Sequence, residues 1–177
     1  MRSRLLLATL AVALFGSAAD AQEVTKPTVA GVLNFAKLES TIACGGATGP
    51  EGVAELKKLG YASIINLRLE TETGADIQAA TAAANVAGIR YVHIPMNGAS
   101  PDPAAADSFL KAIVEPLNQP VFVHCGSGNR AAAMWMIKRR VVDGWDADRA
   151  AVEAAALGLR NEALKKFALD YAASKKK

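Results

Sequence analysis

Short apolar runs alternate with helical segments along most of this chain, and this alternation restricts its fold more than any other feature. The apolar runs predict buried strands at about 40–44, 62–67, 90–94 and 121–124. The helical segments lie at about 50–59, 76–87, 103–117 and 130–142, and two short helices follow Asp146 and Asn161. Strands that alternate with helices form a mainly parallel sheet with helices on both faces. We therefore predict one α/β domain whose sheet has about four to five strands.

The start of the first helix carries an explicit sequence signal. Thr48 is placed as an N-cap, Pro50 falls in the first turn, and Glu51 follows the cap by three positions. This arrangement predicts a capping box, in which the threonine hydroxyl accepts a hydrogen bond from the helix backbone.

Composition excludes several classes of protein. The length of 177 residues, with 51% hydrophobic and 21% charged residues, fits one folded domain. A net charge of +3, without a basic run interleaved with aromatic residues, argues against a nucleic-acid partner. Two cysteines are too few for a disulfide-dense scaffold, and no clustered set of cysteines and histidines supplies a structural zinc site. We predict chemistry without a metal or cofactor.

Residues 1–21 have the pattern of a secretory signal peptide. Arg2 and Arg4 precede an apolar run at 5–15, and Ala19-Asp20-Ala21 supplies a small-x-small cleavage site. A retained membrane anchor is the alternative, but a helical span needs about 20 apolar residues. We expect export across the inner membrane, in a Gram-negative source to the periplasm, and no membrane span after cleavage.

The remaining chain is divided by pattern alone. Residues 22–38 show no clear period and are interpreted as a lead-in. Residues 39–172 hold the alternating pattern of the catalytic domain, and residues 173–177 form a basic tail.

The segment after the last predicted strand carries the candidate chemistry. Val121–His124 delivers Cys125 onto a loop with glycines at 126 and 128, and Arg130 stands where the next helix begins. Small residues let backbone N–H groups converge on an anion, and a helix N-terminus adds positive potential. Both effects favour a thiolate nucleophile, and the arginine fork matches a tetrahedral oxyanion. The alternative is a buried structural cysteine beside a tight turn.

At these residues the chain resembles the cysteine-dependent phosphatases of the tyrosine and dual-specificity group. The resemblance rests on His124-Cys125 with the Gly-rich loop and Arg130. Upstream, 44–50 resembles a Ser-Gly-x-Pro turn, and 63–68 resembles an Ile-Asn-Leu-Arg strand end. Within the superfamily the chain is most similar to the bacterial phosphatase-like domains of beta-lactamase-hydrolase-like and sulfur-transferase proteins. The likeness covers roughly 43–159.

The resemblance implies roles for individual residues. Cys125 would form a phosphocysteine, and Arg130 would bind the phosphoryl oxygens. His124 would hold the loop and help to lower the pKa of the thiol. The implied substrate-binding positions are Gly126, Ser127, Gly128, Asn129 and Arg68.

The sequence departs from the family pattern at three places. Four residues separate Cys125 from Arg130 instead of five, which is similar to the shorter loop of rhodanese sulfurtransferases. Asn97 stands where a general-acid aspartate is expected. Asp102 is the candidate substitute for that acid, although it also fits the N-cap of the following helix. Ala131 replaces the hydroxyl residue that usually follows the arginine.

The second cysteine, Cys44, lies at a strand end that the resemblance places near the Cys125 loop. It is a candidate redox partner that resolves an oxidised Cys125. A static disulfide and two thiols without contact are the alternatives.

Three functions follow from these residues. The first is a phosphatase-like hydrolase that acts on phosphate monoesters through Cys125. The second is a sulfurtransferase that carries a persulfide on Cys125. The third is an anion-binding module with little turnover. The expected partner is a phosphorylated or sulfur-donor substrate, either a small molecule or a protein.

Overall fold

The computed structural model describes residues 23–175 and contains a five-stranded sheet between two layers of helices. The strands are β1 (Ala36–Glu39), β2 (Ile42–Gly45), β3 (Ser63–Asn66), β4 (Arg90–His93) and β5 (Val121–His124). The helices are α1 (Pro50–Lys58), α2 (Ile77–Ala87), α3 (Pro103–Ile113), α4 (Asn129–Val141), α5 (Ala147–Leu157) and α6 (Glu162–Ser174). The predicted signal segment 1–21 and the last two tail lysines lie outside the described residues.

The sheet has the order β1-β2-β5-β3-β4, and every pair is parallel except the antiparallel pair β1–β2. The β5 strand is central, and its four side chains are buried. One helical layer packs α1 and α2 against Phe122 of β5, and the other packs α3 to α6 against Val121 and Val123. The predicted α/β class and the mainly parallel sheet are confirmed.

The lead-in contributes more to the fold than its pattern indicated. Strand β1 begins at Ala36, inside the segment interpreted as a lead-in, and Phe35 and Leu38 are buried. Thr25 and Lys37 exchange backbone hydrogen bonds of 2.9 and 2.8 Å, which fastens the segment before β1 to the sheet.

Two helix-end predictions and the predicted start of the tail are corrected. The predicted capping box is wrong, because α1 has Gly49 at its N-cap without a side-chain cap, and the Thr48 hydroxyl donates to the Gly46 carbonyl instead. The third helix ends at Ile113 rather than near residue 117, and a short 3-10 turn at Pro116–Asn118 follows. At the carboxyl end, α6 continues to Ser174, so the predicted start of the tail falls inside a helix.

A buried ion pair joins α4 to α5 behind the sheet. Glu153 accepts from Arg139 Nε at 2.7 Å and from Trp135 Nε1 at 2.6 Å. The Arg139 guanidinium also lies over the rings of Trp135 and Trp145, at 4.6 and 4.2 Å from their centroids. Both oxygens of the Glu153 carboxylate are thus partnered, as a buried charge requires.

Candidate active site

Cys125 is fixed at the carboxyl edge of the sheet, one residue past the end of β5. Its backbone N–H donates to the Gly45 carbonyl at 3.2 Å, and the His124 carbonyl accepts from Leu67 N–H at 2.8 Å. These bonds extend the pairing of β5 with both neighbouring strands. The thiol is buried, with 1% of the residue exposed, at the base of the loop that follows.

The loop turns its carbonyls outward. The Gly126 carbonyl accepts from Ala47 N–H at 2.9 Å, and the Ser127 carbonyl accepts from the Asn34 amide at 3.1 Å. The Gly128 carbonyl accepts from Ala132 N–H in the first turn of α4. Within residues 23–175, the N–H groups of positions 126, 127, 129 and 130 have no intramolecular acceptor. The loop therefore presents a set of free donors.

Gly128 closes this loop onto the thiol. Its N–H donates to Cys125 Sγ at 3.2 Å, and its φ of 101° lies in the left-handed region that glycine adopts without strain. The residue is also the N-cap of α4, so the sulfur lies at the positive end of that helix. A hydrogen bond and the helix dipole both stabilise negative charge on Cys125.

The Arg130 guanidinium binds both backbone carbonyls and a carboxylate. Nη1 donates to the carbonyls of Leu67 and Met96 at 3.1 and 2.8 Å, and both terminal nitrogens bind the Glu72 carboxylate. No carbonyl or carboxylate of the described residues accepts from Nε. A Cβ at Gly98 would lie 3.4 to 3.8 Å from Cδ, Cγ and Nε of Arg130, so glycine at this position keeps a side chain away from that part of the arginine.

Glu72 is the functional residue that sequence analysis missed. Its oxygens lie 2.5 and 2.8 Å from the terminal nitrogens of Arg130, and Arg68 Nε donates to it at 3.3 Å. The hydrogen bond from Arg130 lowers the pKa of Glu72 to about 2, against the opposing effect of burial. Burial alone would lower the pKa of Arg130, but the hydrogen bond to Glu72 and the nearby Cys125 raise it above the usual value. The pair is therefore fully charged near neutral pH.

Arg68 lies next to the site without opening onto it. Its Nη1 and Nη2 donate to the carbonyls of Gly74 and Thr73 at 2.9 and 2.7 Å. With Nε on Glu72, every side-chain nitrogen of Arg68 bonds within the segment 68–74. The structure thus places Arg68 as a support for Glu72, and direct substrate binding by Arg68 stays an untested prediction.

His124 is buried behind the loop, and its ring stacks on Phe122 with centroids 5.7 Å apart. Burial lowers the pKa of His124 to about 4, so the imidazole is neutral near neutral pH. Nδ1 has no hydrogen-bond partner in the described part of the chain. Any help that His124 gives to the Cys125 thiolate therefore does not come from a positive charge.

Asp102 caps α3 and accepts from Ala104 N–H at 2.8 Å. It does not line the cleft of about 330 Å³ beside Arg130, whereas Asn97 and Glu72 do. The Asn97 side chain accepts from Ala99 N–H at 2.9 Å. A general-acid role for Asp102 remains a prediction without a supporting contact.

Asn129 ties the loop to the segment between α5 and α6. Its side-chain oxygen accepts from the N–H groups of Arg160 and Asn161 at 2.7 and 3.0 Å. The amide nitrogen donates to Ser127 Oγ at 3.2 Å. The side chain of this predicted binding residue is therefore occupied, and its free backbone N–H is the group available to a ligand.

The two cysteines are both free and both buried, so the static disulfide is not present in the structure. Cys44 lies on β2, directly before Gly45, whose carbonyl binds Cys125 N–H. Burial raises the pKa of the Cys44 thiol, and the charge of Cys125 raises it further. The redox-partner role remains a prediction for two neighbouring thiols.

Among the described residues, no helix is long and apolar enough to cross a membrane. In the same range, no group of His, Cys, Asp or Glu side chains is arranged to hold a metal ion.

A parallel sheet that delivers a cysteine onto a donor-rich loop, with an arginine at the following helix start, defines the class of cysteine-dependent phosphatase-like domains. The chain belongs to the family described as "Beta-lactamase hydrolase-like protein, phosphatase-like domain", which matches residues 34–142. A beta-lactamase hydrolase-like protein of Xylella fastidiosa is 33% identical over 116 residues, which are 63% of this chain and 26% of the relative. The chain thus spans about a quarter of that curated relative.

Solved structures share the fold. TpbA of P. aeruginosa, crystallised as a cysteine-to-serine variant in complex with pTyr, has a TM-score of 0.65 at 20% identity. That likeness covers 90% of this chain and 93% of TpbA. The core catalytic domain of the PP-IP phosphatase SIW14 from S. cerevisiae, in complex with citrate, also has a TM-score of 0.65 at 20% identity, over 83% of this chain and 87% of the other. At 20% identity, the structural likeness to these two proteins shows a shared fold.

Proposed function

We propose that this chain hydrolyses phosphate monoesters through a phosphocysteine on Cys125. The observation that carries the proposal is the hydrogen bond of 3.2 Å from Gly128 N–H to Cys125 Sγ. The sulfur thus lies next to a loop whose other N–H groups are unpaired among the described residues. Such a loop is complementary to a trigonal or tetrahedral phosphoryl group that carries negative charge.

In the first step, the Cys125 thiolate attacks phosphorus and the bond from phosphorus to the ester oxygen breaks. The leaving alkoxide or phenoxide takes a proton from water or from a general acid. The loop N–H groups and Nε of Arg130 bind the equatorial oxygens, where charge develops in the transition state. Glu72 holds Arg130 in this orientation.

In the second step, a water oxygen attacks the phosphorus of the phosphocysteine and the sulfur–phosphorus bond breaks. Inorganic phosphate leaves, and Cys125 returns as the thiolate. The water loses one proton to solvent or to the phosphate. Stabilisation of the leaving thiolate falls to Gly128 N–H and the α4 N-terminus, because Ala131 offers no hydroxyl.

The comparisons support a phosphorylated substrate. TpbA was crystallised with pTyr, and SIW14 is described as a PP-IP phosphatase. The feature that these two proteins have in common is a phosphoryl group on the ligand or substrate, and we propose only that feature for the substrate of this chain. The proposal includes export to the periplasm, supported by the sequence of residues 1–21, and a secreted product that begins at Gln22 is its check.

The test measures phosphate release from p-nitrophenyl phosphate by the purified protein and by its Cys125→Ser variant. We expect turnover in the former and none in the latter, with trapping of a phosphorylated Cys125 peptide after acid quench. The same preparations are assayed with thiosulfate and cyanide, because the four-residue spacing to Arg130 favours the sulfurtransferase as second candidate. Thiocyanate formation without phosphate release would overturn the proposal. Phosphate binding without either turnover would favour the anion-binding module and also overturn it.

A further inference from the structure

A second cleft, of about 630 Å³, opens on the other side of the Cys125 loop. Its walls are the lead-in segment, the start of β1 and the end of α5. It shares Ser127 and Asn129 with the cleft beside Arg130, so the two clefts meet at the same loop.

The charges around this second cleft have one sign. Lys26 and Arg160 line it, and no aspartate or glutamate of the described chain does. Within the described residues, the Lys26 ammonium has no hydrogen bond or ion pair. The Arg160 guanidinium donates from Nη1 to the carbonyls of Ala155 and Leu159 and forms no ion pair with a described carboxylate. Two cations therefore face the cleft without an anionic partner in that part of the chain.

The walls of the cleft are fastened to the loop. Asn34 donates to the Ser127 carbonyl at 3.1 Å from one wall. The backbone N–H of Arg160 donates to Asn129 Oδ1 at 2.7 Å from the other. Both cations consequently sit on segments that are positioned relative to Cys125.

We propose that this second cleft is a binding site for a second anionic group of the substrate, held between Lys26 and Arg160. The substrate class is then a small phosphate ester that carries another phosphate or a carboxylate. A volume of about 630 Å³ lies in the range of small-molecule sites, and two unpaired cations favour a doubly anionic ligand over a neutral one. This inference rests on the proposed function, which places the reacting phosphoryl group on the Cys125 loop.

The test is calorimetric binding to the Cys125→Ser protein, so turnover does not enter. The probes are inorganic phosphate, fructose 6-phosphate and fructose 1,6-bisphosphate. We expect the bisphosphate to bind at least about tenfold more tightly than the monophosphate. Lys26→Gln and Arg160→Gln should each weaken bisphosphate binding by about three- to tenfold and leave phosphate binding unchanged. Arg160→Gln preserves the backbone N–H that binds Asn129.

Lys111→Gln is the matched control, because it removes one positive charge from an exposed site on α3 that does not line the cleft. Equal binding of the two fructose phosphates would overturn the inference. So would a loss of bisphosphate affinity in Lys111→Gln as large as in the cleft variants, because it would indicate a general charge effect. If inorganic phosphate does not bind to the Cys125→Ser protein at all, that result would count against the proposed function instead. Binding of phosphate alone concerns the Cys125 loop and not the second cleft.

Discussion

Glu72 and Arg130 form a two-point ion pair, in which the carboxylate oxygens lie 2.5 and 2.8 Å from the two terminal nitrogens of the guanidinium. The two residues are 58 positions apart and meet because β3 and β5 are parallel neighbours. Nε of Arg130 has no carbonyl or carboxylate acceptor among the described residues. Glu72 is thus a positioning residue whose effect on the reaction passes through Arg130.

We expect Glu72→Ala to lower kcat by about 10- to 100-fold, because a small displacement of an orienting group is costly in the transition state. Glu72→Gln should retain more activity, since an amide oxygen still accepts from one nitrogen of Arg130. Steady-state kinetics on p-nitrophenyl phosphate provide the measurement. Glu70→Gln is the control, because Glu70 is an exposed carboxylate on the same loop. An equal loss in the Glu70 variant would contradict the assigned role.

The low pKa of Glu72 predicts a pH-dependent stability. Its pKa falls from 4.5 to about 2 in the folded protein, so its stabilising contribution is present above about pH 4.5 and is lost as the pH falls toward 2. Urea midpoints of the wild type and Glu72→Gln should therefore differ at pH 6 and converge between about pH 4 and pH 2. A gap that stays constant across this range would show that the carboxylate charge is not its source.

The cleft beside Arg130 predicts a strong dependence on the leaving group. Glu72 is the carboxylate that lines it in the described chain, and a pKa of about 2 leaves no proton to donate. We expect phenyl phosphate, whose leaving group is more basic, to react far more slowly than p-nitrophenyl phosphate. Asn97→Asp should raise kcat/KM for phenyl phosphate by about tenfold or more, since general acids contribute about 10²–10⁴ in rate.

The same assay examines Asp102. Asp102→Asn keeps a side chain that caps α3 well but removes the acidic proton. A large loss with phenyl phosphate alone, in a variant of unchanged thermal stability, would establish Asp102 as the acid. That result would also contradict the prediction made for Asn97.

Oxidation tests the relationship of the two thiols. We expect hydrogen peroxide to convert Cys125 to a sulfenic acid, which the Cys44 thiol then attacks, forming a disulfide and releasing water. Mass spectrometry without reductant should reveal a cross-linked peptide, and dithiothreitol should restore activity. In Cys44→Ala the inactivation should become irreversible. Absence of the cross-link at every peroxide concentration would remove the redox partnership.

The ion pair of Arg139 and Glu153 predicts a large stability effect distant from the site. Glu153→Leu removes the acceptor of the Trp135 N–H and one of two carboxylates bound to Arg139, which keeps Asp143 at 2.9 Å, and we expect a loss of about 1–3 kcal/mol. The double variant Arg139→Met/Glu153→Leu should lose less than the single one. Chemical denaturation gives both values, and a double variant as unstable as the sum of single variants would argue against coupling.

The parallel part of the sheet was predictable because each strand is a short apolar run ended by glycine, proline or a polar loop. Strand β1 was not, since Ala36–Glu39 has no clear pattern and is stabilised by partners such as Cys44 and Thr25 that sequence does not reveal as neighbours. Thr48 had the chemistry of a cap, but its hydroxyl is used by the Gly46 carbonyl in the turn before α1.

In the candidate site too, contacts within one segment were predictable and contacts between distant segments were not. Cys125 and Arg130 share one short segment, so their proximity was evident from sequence alone. To predict that Glu72 contacts Arg130, one must know which strands are adjacent. The available signal in the sequence was a carboxylate in the loop after Arg68. His124 was recognised as part of the loop, but its charge state depends on burial, which a sequence does not contain.

The bond from Asn129 to residues 160 and 161 has a consequence for when activity first arises. The family match ends at residue 142, yet the nucleophile loop is anchored to the joint between α5 and α6. A nascent chain that has emerged only as far as α4 holds Cys125 and Arg130 but lacks this anchor. Catalytic activity should therefore arise last, after the carboxyl-terminal helices have docked. In an unfinished polypeptide, Cys125 is present but its loop is not yet anchored.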